Sequence, residues 1–189
     1  MENKTRCFWC TNHPLYINYH DNEWGKPVYN DHKLFEMLLL ETFQAGLSWF
    51  TILQKRENFR TAFSDFNYLE IAKYSENKTE ELIQNSGIIK NRLKIKSAIT
   101  NAQCFIKIQE EFGTFSNYIW GFTQNKIIDN INITQQNYYV TTPLSDQISK
   151  DLKKRGFKFV GSTTIYAYLQ AVGIVNDHTT DCFLRSSNR

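Results

Sequence analysis

Cys7 and His20 stand near the start of this sequence, and His178 and Cys182 stand near its end. The second pair is spaced His-x3-Cys, which on a helical turn puts imidazole and thiolate on one face. Zinc takes four nitrogen or sulfur ligands in a tetrahedron, and the two pairs together would supply Cys2His2 with no position left for a catalytic water. Such a site is structural and would tie the two ends of the chain together. Cys7-x2-Cys10 is a rival metal-like spacing without a second Cys-x2-Cys to complete it. Free thiols and ordinary histidines are the remaining reading of the same residues. Cys104 lies in an apolar helical pattern and reads as a small core residue.

A second group centres on Glu41, an acid inside Met37-Leu38-Leu39-Leu40-Glu41-Thr42-Phe43. Buried there, it must be paired, hydrogen-bonded or protonated with a raised pKa; exposure is the alternative. Trp9, Tyr16, Tyr19 and Trp24 precede it, and Trp49 follows. Aromatics ordinarily fill cores. Five beside one acid also make a slot for a flat cation, through stacking and cation–π attraction. A third group runs Lys153-Lys154-Arg155-Gly156-Phe157-Lys158-Phe159-Val160-Gly161-Ser162-Thr163. Its glycines permit positive φ and close backbone approach. The helix that follows offers N–H groups and the Ser162 and Thr163 hydroxyls to an anion. With lysines alongside, this is a phosphate clamp of the sequence-independent kind; a plain C-cap followed by an N-cap is the other reading.

The elements that must position these groups are helical. Asp31 is an N-cap candidate for a helix over 33–44, with Leu34, Leu38, Glu41 and Ala45 on one stripe. Further helices are predicted over 48–63, 79–85, 90–112, 144–155 with Pro143 in the first turn, and 160–173 with Gly173 as the stop. Strand evidence is confined to Tyr138-Tyr139-Val140. Residues 125–137 read as a surface loop and 185–189 as a frayed tail. Nothing divides the chain, so the expectation is one all-α domain over 1–184 with a hairpin at about 150–173.

Composition narrows the class. The chain has 189 residues with 22% charged and 41% hydrophobic content, only 8 Gly and 3 Pro, and an aromatic share of 15%. That excludes fibrous and disordered chains. No apolar stretch would span a bilayer, and Met1 to Arg6 leads into no signal sequence, so a cytoplasmic, reducing setting is expected. The net charge is +3, with basic residues gathered at Lys150–Lys158 and at Lys90, Arg92, Lys94 and Lys96. Such runs are either solvated helix faces or contacts for nucleic acid.

Longer blocks carry more. Tyr16-Ile17-Asn18-Tyr19-His20-Asp21-Asn22-Glu23-Trp24-Gly25, Leu40-Glu41 with Gln44-Ala45-Gly46-Leu47-Ser48-Trp49, Lys55-Arg56-Glu57-Asn58, Gly87-Ile88-Ile89, the run Leu152 to Gly161, Gln170-Ala171 and Gly173-Ile174-Val175-Asn176-Asp177-His178 follow in order. Together they resemble the bacterial 3-methyladenine DNA glycosylase I family, within the helix-hairpin-helix glycosylase superfamily. The likeness runs from about Cys7 to Cys182.

The resemblance implies a helix-hairpin-helix glycosylase-like fold whose terminal segments are tied by one structural Zn2+ per chain. It assigns that ion to Cys7, His20, His178 and Cys182 and leaves Cys10 out. It implies a monomeric, monofunctional hydrolase of base excision repair that associates with the nucleoid through alkylated double-stranded DNA and releases free 3-methyladenine. The flipped base would lie among Glu41, Tyr16, Trp49 and Trp9, with Tyr19 close by. Leu47 would be the wedge filling the vacated stack. Lys154, Gly156, Lys158, Gly161, Ser162 and Thr163 would hold the DNA backbone. A base methylated at N3 is a cation and a good leaving group, so the pocket's main task is to select that cation. Asp177 is held in reserve as a catalytic acid, because superfamily members use an Asp soon after the hairpin. No Lys is placed as a Schiff-base residue, so no lyase step is expected. Leu93 departs from a Gly frequent in the family, and Cys10 is an extra thiol.

Two readings from other classes stay open. A non-catalytic zinc-containing DNA-binding module leaves the acid in its aromatic nest unexplained. An enzyme acting on free purines leaves the phosphate clamp idle.

Overall fold

Side-chain caps open most of the helices in the computed structural model, which describes residues 4–185. His13 caps α1 (Pro14–Asn22), Asn30 caps α2 (Asp31–Gln44) and Ser48 caps α3 (Trp49–Ala62). Asn67 caps the one-turn α4 (Tyr68–Ile71), Ser75 caps α5 (Glu76–Gln84) and Asn91 caps α6 (Arg92–Phe112). Thr114 caps α7 (Phe115–Gly121), and Thr142 forms a capping box with Ser145 on α8 (Pro143–Lys154). Each side-chain oxygen or ring nitrogen accepts from an N–H that the first turn leaves without a partner. At α9 (Ser162–Ala171) the N-cap is Gly161, which has no side chain to do this.

The helices expected from periodicity are present, with ends shifted by one to three residues. Helices α1, α4 and α7 were not expected. α4 and α7 are too short to show a period, and α1 buries only Tyr19 and His20, which gives it no apolar stripe to read. The all-α expectation needs one correction. β1 (Ile128–Asp129) pairs in parallel with β2 (Val175–Asn176), Ile128 opposite Val175. Two-residue strands have no alternation to read, and their ladder is a long-range backbone tie: Ile128 N–H donates to Ile174 O at 2.9 Å. Tyr138-Tyr139-Val140, the expected strand, is exposed and forms no ladder. Arg185 is also docked rather than frayed, paired with Asp129 at 2.8 Å and donating to Asn176 O and His178 O. Residues 186–189 lie outside the described residues.

α2 is the central element. Its residues from Leu34 to Phe43 are all buried, against α3, α6, α7 and α9. Phe43 meets Phe59 and Phe63 edge-on, and Phe35 meets Phe105, which stacks on Phe115 at 4.1 Å. Burying each such ring stabilises the fold by about 1.5–3 kcal/mol. The turn after α9 lies tight against the chain after α1: a Cβ on Gly173, at φ +71°, would fall 2.4 Å from the Lys26 carbonyl carbon. No helix among the described residues is long and apolar enough to cross a membrane.

Candidate active site and metal centre

The four residues from the two ends of the chain meet. The ligand atoms of Cys7, His20, His178 and Cys182 lie within 4.8 Å of one another, and all four side chains are buried. Cys7 Sγ is 3.5 Å from His178 Nδ1, and Cys182 Sγ is 3.5 Å from both His20 Nε2 and His178 Nδ1. A tetrahedral zinc with ordinary bond lengths sets sulfur–nitrogen edges of about 3.5–3.6 Å, so the donors match the ion in type, number and spacing. Hydrogen bonding to Cys7 pulls the Cys182 thiol down and pushes the Cys7 thiol up, because two thiols this close resist a second negative charge.

Outer groups orient the donors. His20 Nδ1 meets Asp21 Oδ1 at 2.8 Å, and Arg6 grips Asp21 through Nε at 2.8 Å and Nη2 at 2.7 Å. This leaves Nε2 of His20 facing inward, the arrangement by which a carboxylate fixes a metal-binding imidazole. The Thr179 N–H donates to Cys7 Sγ, and Gly25 lies flat against the His178 ring, where a Cβ would come within 2.9 Å of Nε2. Cys10 belongs outside the cluster, half-buried and donating to Thr11 O.

Trp9 joins this cluster to a cavity. Its ring packs on His20 at 5.3 Å and on Trp24 at 4.9 Å, and its other neighbours are Tyr16 and Tyr19. The cavity holds about 330 Å³ and is lined by Trp9, Tyr16, Tyr19, Glu41, Trp49 and Asp177 among others. α1 supplies Tyr16 and Tyr19, α2 supplies Glu41, and the start of α3 supplies Trp49, whose ring lies 5.4 Å from Tyr19. Two buried polar atoms here have no hydrogen-bond partner among the described residues: Glu41 Oε2, an acceptor, and Trp49 Nε1, a donor. Glu41 is 4% exposed. Burial pushes its carboxyl up to about 8, and no cation is near enough to oppose this. Burial also raises the Tyr19 and Tyr168 phenols, so the acid's titratable neighbours stay neutral.

Asp177 also lines the cavity, but its carboxylate is engaged three times. Tyr166 OH donates at 2.5 Å, Gln170 Nε2 at 2.7 Å and Asn130 Nδ2 at 2.8 Å. These donors come from α9 and the chain after β1, and sequence reasoning did not connect them. Phe8, Tyr138, Tyr139 and Val140 line the mouth, with Phe8 against Tyr138 at 5.3 Å. The signal for them was present: an exposed apolar run in an otherwise polar loop.

The hairpin between α8 and α9 follows the expected outline. Gly156 has φ +101°, which its turn requires. Lys154 and Lys158 are exposed. Gly161 caps α9, and Thr163 is exposed at the cavity rim. Ser162 is placed differently, its hydroxyl bonded to the Ser145 hydroxyl at 2.8 Å. Arg155 folds back onto Glu111 and Asp151. Leu47, 39% exposed, stands in the turn between α2 and α3, between Glu41 and Trp49 in sequence. The second basic run is mostly engaged: Arg92 pairs with Glu76 and Glu80, Lys96 pairs with Glu76, and Lys94 is buried, while Lys90 is exposed.

Comparison with known proteins gives a consistent picture. Residues 9–185 match the family described as methyladenine glycosylase. The DNA-3-methyladenine glycosylase 1 of Escherichia coli (strain K12) is 44% identical over 184 residues, 97% of this chain and 98% of that protein. A crystal structure of a 3-methyladenine DNA glycosylase I superposes with a TM-score of 0.92 at 46% identity, covering 95% of this chain and 98% of that one. A tyrosine-to-phenylalanine variant of such an enzyme, crystallised in complex with 3-methyladenine, also gives 0.92 at 35% identity, covering 95% of this chain and 97% of that one.

Proposed function

The chain belongs to the methyladenine glycosylase family, and from that premise we infer that it is a DNA glycosylase of base excision repair that removes 3-methyladenine from alkylated duplex DNA. The observation that carries the reading is the pair of unpartnered atoms, Glu41 Oε2 and Trp49 Nε1, in an aromatic cavity with room for a nucleobase. A flipped adenine ring offers the complement: an exocyclic amine for the carboxyl and a ring nitrogen for the indole N–H. Binding energy is gained where the free protein leaves two buried groups unsatisfied.

Selection follows from charge. The alkylated base is a cation and normal adenine is not. The faces of Trp9, Tyr16 and Trp49 are electron-rich, and Glu41, neutral in the free protein near pH 7, ionises against the fixed positive charge. Leu47 wedges the gap left in the stack, and Lys154, Lys158, Gly156, Gly161 and Thr163 hold the backbone through the hairpin. The bond between C1′ and N9 breaks with its electron pair leaving on N9, so the cationic base departs neutral. Water adds to C1′ and loses a proton to solvent. Asp177, held by three donors, steadies α9 rather than abstracting that proton.

Zinc is the cation that fits the Cys2His2 cluster, held by Cys7, His20, His178 and Cys182. These four side chains would fill its coordination and leave no position for a reacting water, so the ion would serve structure, and His20, held in this way, would back Trp9 at the cavity wall. The enzyme works in the cytoplasm as a single-domain monomer. The test is base release from methylated duplex DNA, separated by chromatography. Release of 3-methyladenine, with 7-methylguanine left in place, is expected. A folded protein that binds DNA and releases neither base would instead be a binding module.

A further inference from the structure

Helix α6 touches both of the loops that the proposed function sets against DNA. Lys94, in its first turn, is 5% exposed, and its ammonium lies under the C-terminus of α2. Nζ donates to Phe43 O at 2.7 Å and to Ala45 O at 2.6 Å. These are carbonyls at the very end of α2, where the chain turns through Gly46, at φ +80°, into Leu47. A helix end leaves such carbonyls without backbone partners, and a cation there also meets the negative pole of the helix dipole. Lys94 therefore sets where the turn carrying Leu47 begins.

Seven residues on, Asn101 does the same for the hairpin. Its Nδ2 donates to Lys158 O at 3.1 Å and its Oδ1 accepts from Lys158 N at 2.8 Å, while the side chain is 2% exposed. Ser149 Oγ adds a bond to Val160 O at 2.6 Å from within α8. Two positions seven apart lie on one helix face, about 10 Å from each other along the axis. Such buried contacts do not drift, because breaking either one leaves polar groups unpaired in a dry setting.

We propose that Lys94 and Asn101 are positioning residues through which α6 holds the Leu47 turn and the 156–161 hairpin at a fixed separation on one duplex. This rests on the reading of Leu47 as wedge and the hairpin as backbone contact. Neither residue touches the base, so the cavity keeps its affinity when either is changed. What is lost is the register between flipping and gripping.

The experiment compares single-turnover excision from a duplex carrying one 3-methyladenine with the affinity for free 3-methyladenine, read from tryptophan fluorescence. The proteins are wild type, Lys94→Met, Lys94→Arg, Asn101→Asp, the double variant, and Leu47→Ala as control. Lys94→Met and Asn101→Asp should each slow excision by about 10- to 100-fold. Free-base affinity should stay within about twofold. Lys94→Arg, which keeps a cation beneath the carbonyls, should recover most of the loss. The double variant should lose less than the product of the single losses, since one broken anchor already frees the register. If Lys94→Met fails to fold, Asn101→Asp, which keeps the acceptor for Lys158 N and exchanges the donor to Lys158 O for a carboxylate oxygen, carries the same test. Excision at the wild-type rate in both single variants overturns the proposal. So does a loss of free-base affinity parallel to the loss of excision, which would mark a structural role. If Leu47→Ala is also without effect on excision, the wedge itself is wrong and the proposal falls with it.

Discussion

Glu36 and Glu41 lie on the same helix, both buried, at 2% and 4% exposure. Five residues of helix turn them to different faces, and their surroundings could hardly differ more. Glu36 faces α3 and receives Arg56 Nε at 2.8 Å, Arg60 Nη2 at 3.0 Å and Lys33 Nζ at 3.1 Å. Burial works against its charge, but Arg56 and Lys33 outweigh it and hold the carboxyl below the ordinary range. Glu41 faces the aromatic cavity, where burial acts alone and one oxygen has no partner. A buried acid by itself says little about function. What separates a structural acid from a working one is whether the fold has already supplied its cation.

That contrast can be broken by exchanging each acid for its amide. Glu41→Gln should slow excision of 3-methyladenine by about 100- to 1000-fold, because the group that answers the positive base is gone. Single-turnover rates on a methylated duplex would show this, and duplex binding should hardly change. Glu36→Gln should do the reverse. Removing one partner of a buried network costs about 3 kcal/mol of stability, at the low end because Arg56 keeps Glu23. Denaturant unfolding would register the cost, while the rate per folded molecule stays near wild type.

The smallest expected effect sharpens the contrast through pH. The folded-state pKa of Glu41, about 8, lies above its unfolded value of about 4.5. Its stabilising contribution is therefore present below pH 4.5 and lost as pH rises towards 8. Glu36, lowered in the fold, contributes above its unfolded pKa and loses that contribution as pH falls. Glu41→Gln should accordingly gain about 2 kcal/mol on wild type between about pH 5.5 and 7, and Glu36→Gln should converge on wild type in acid. Parallel stability curves for wild type and Glu41→Gln would contradict the assignment.

Local signals explain what the sequence disclosed. His178 and Cys182 stood out by their spacing, although a turn closed by Cys182 N–H on Thr179 O rather than a helix brings them together, and Glu41 stood out as an acid in an apolar run. The capped, periodic helices α2, α3, α6 and α8 were legible for the same reason. Groups assembled only by tertiary packing were not. Asp177, Tyr166, Gln170 and Asn130 are ordinary polar residues until α9 and the β1–β2 ladder bring them together. Lys94 looked like part of a solvated basic face, yet it is buried because the last carbonyls of α2 need a donor there. Ser162 was read as an anion ligand from its place at the start of α9, and the bond its hydroxyl makes to the Ser145 hydroxyl on α8 had no signal in the sequence.

The most direct test of the account is the pH profile of kcat/KM on a 3-methyladenine duplex, for wild type beside Glu41→Gln. In the free enzyme the carboxyl must shed its proton to meet the cationic base, so kcat/KM for wild type should rise by about tenfold per pH unit and level near pH 8. Glu41→Gln should be slow and flat across the same range. A wild-type profile as flat as that of the variant, or a variant that keeps the rising limb, would show that Glu41 is not the group that answers the charge of the base.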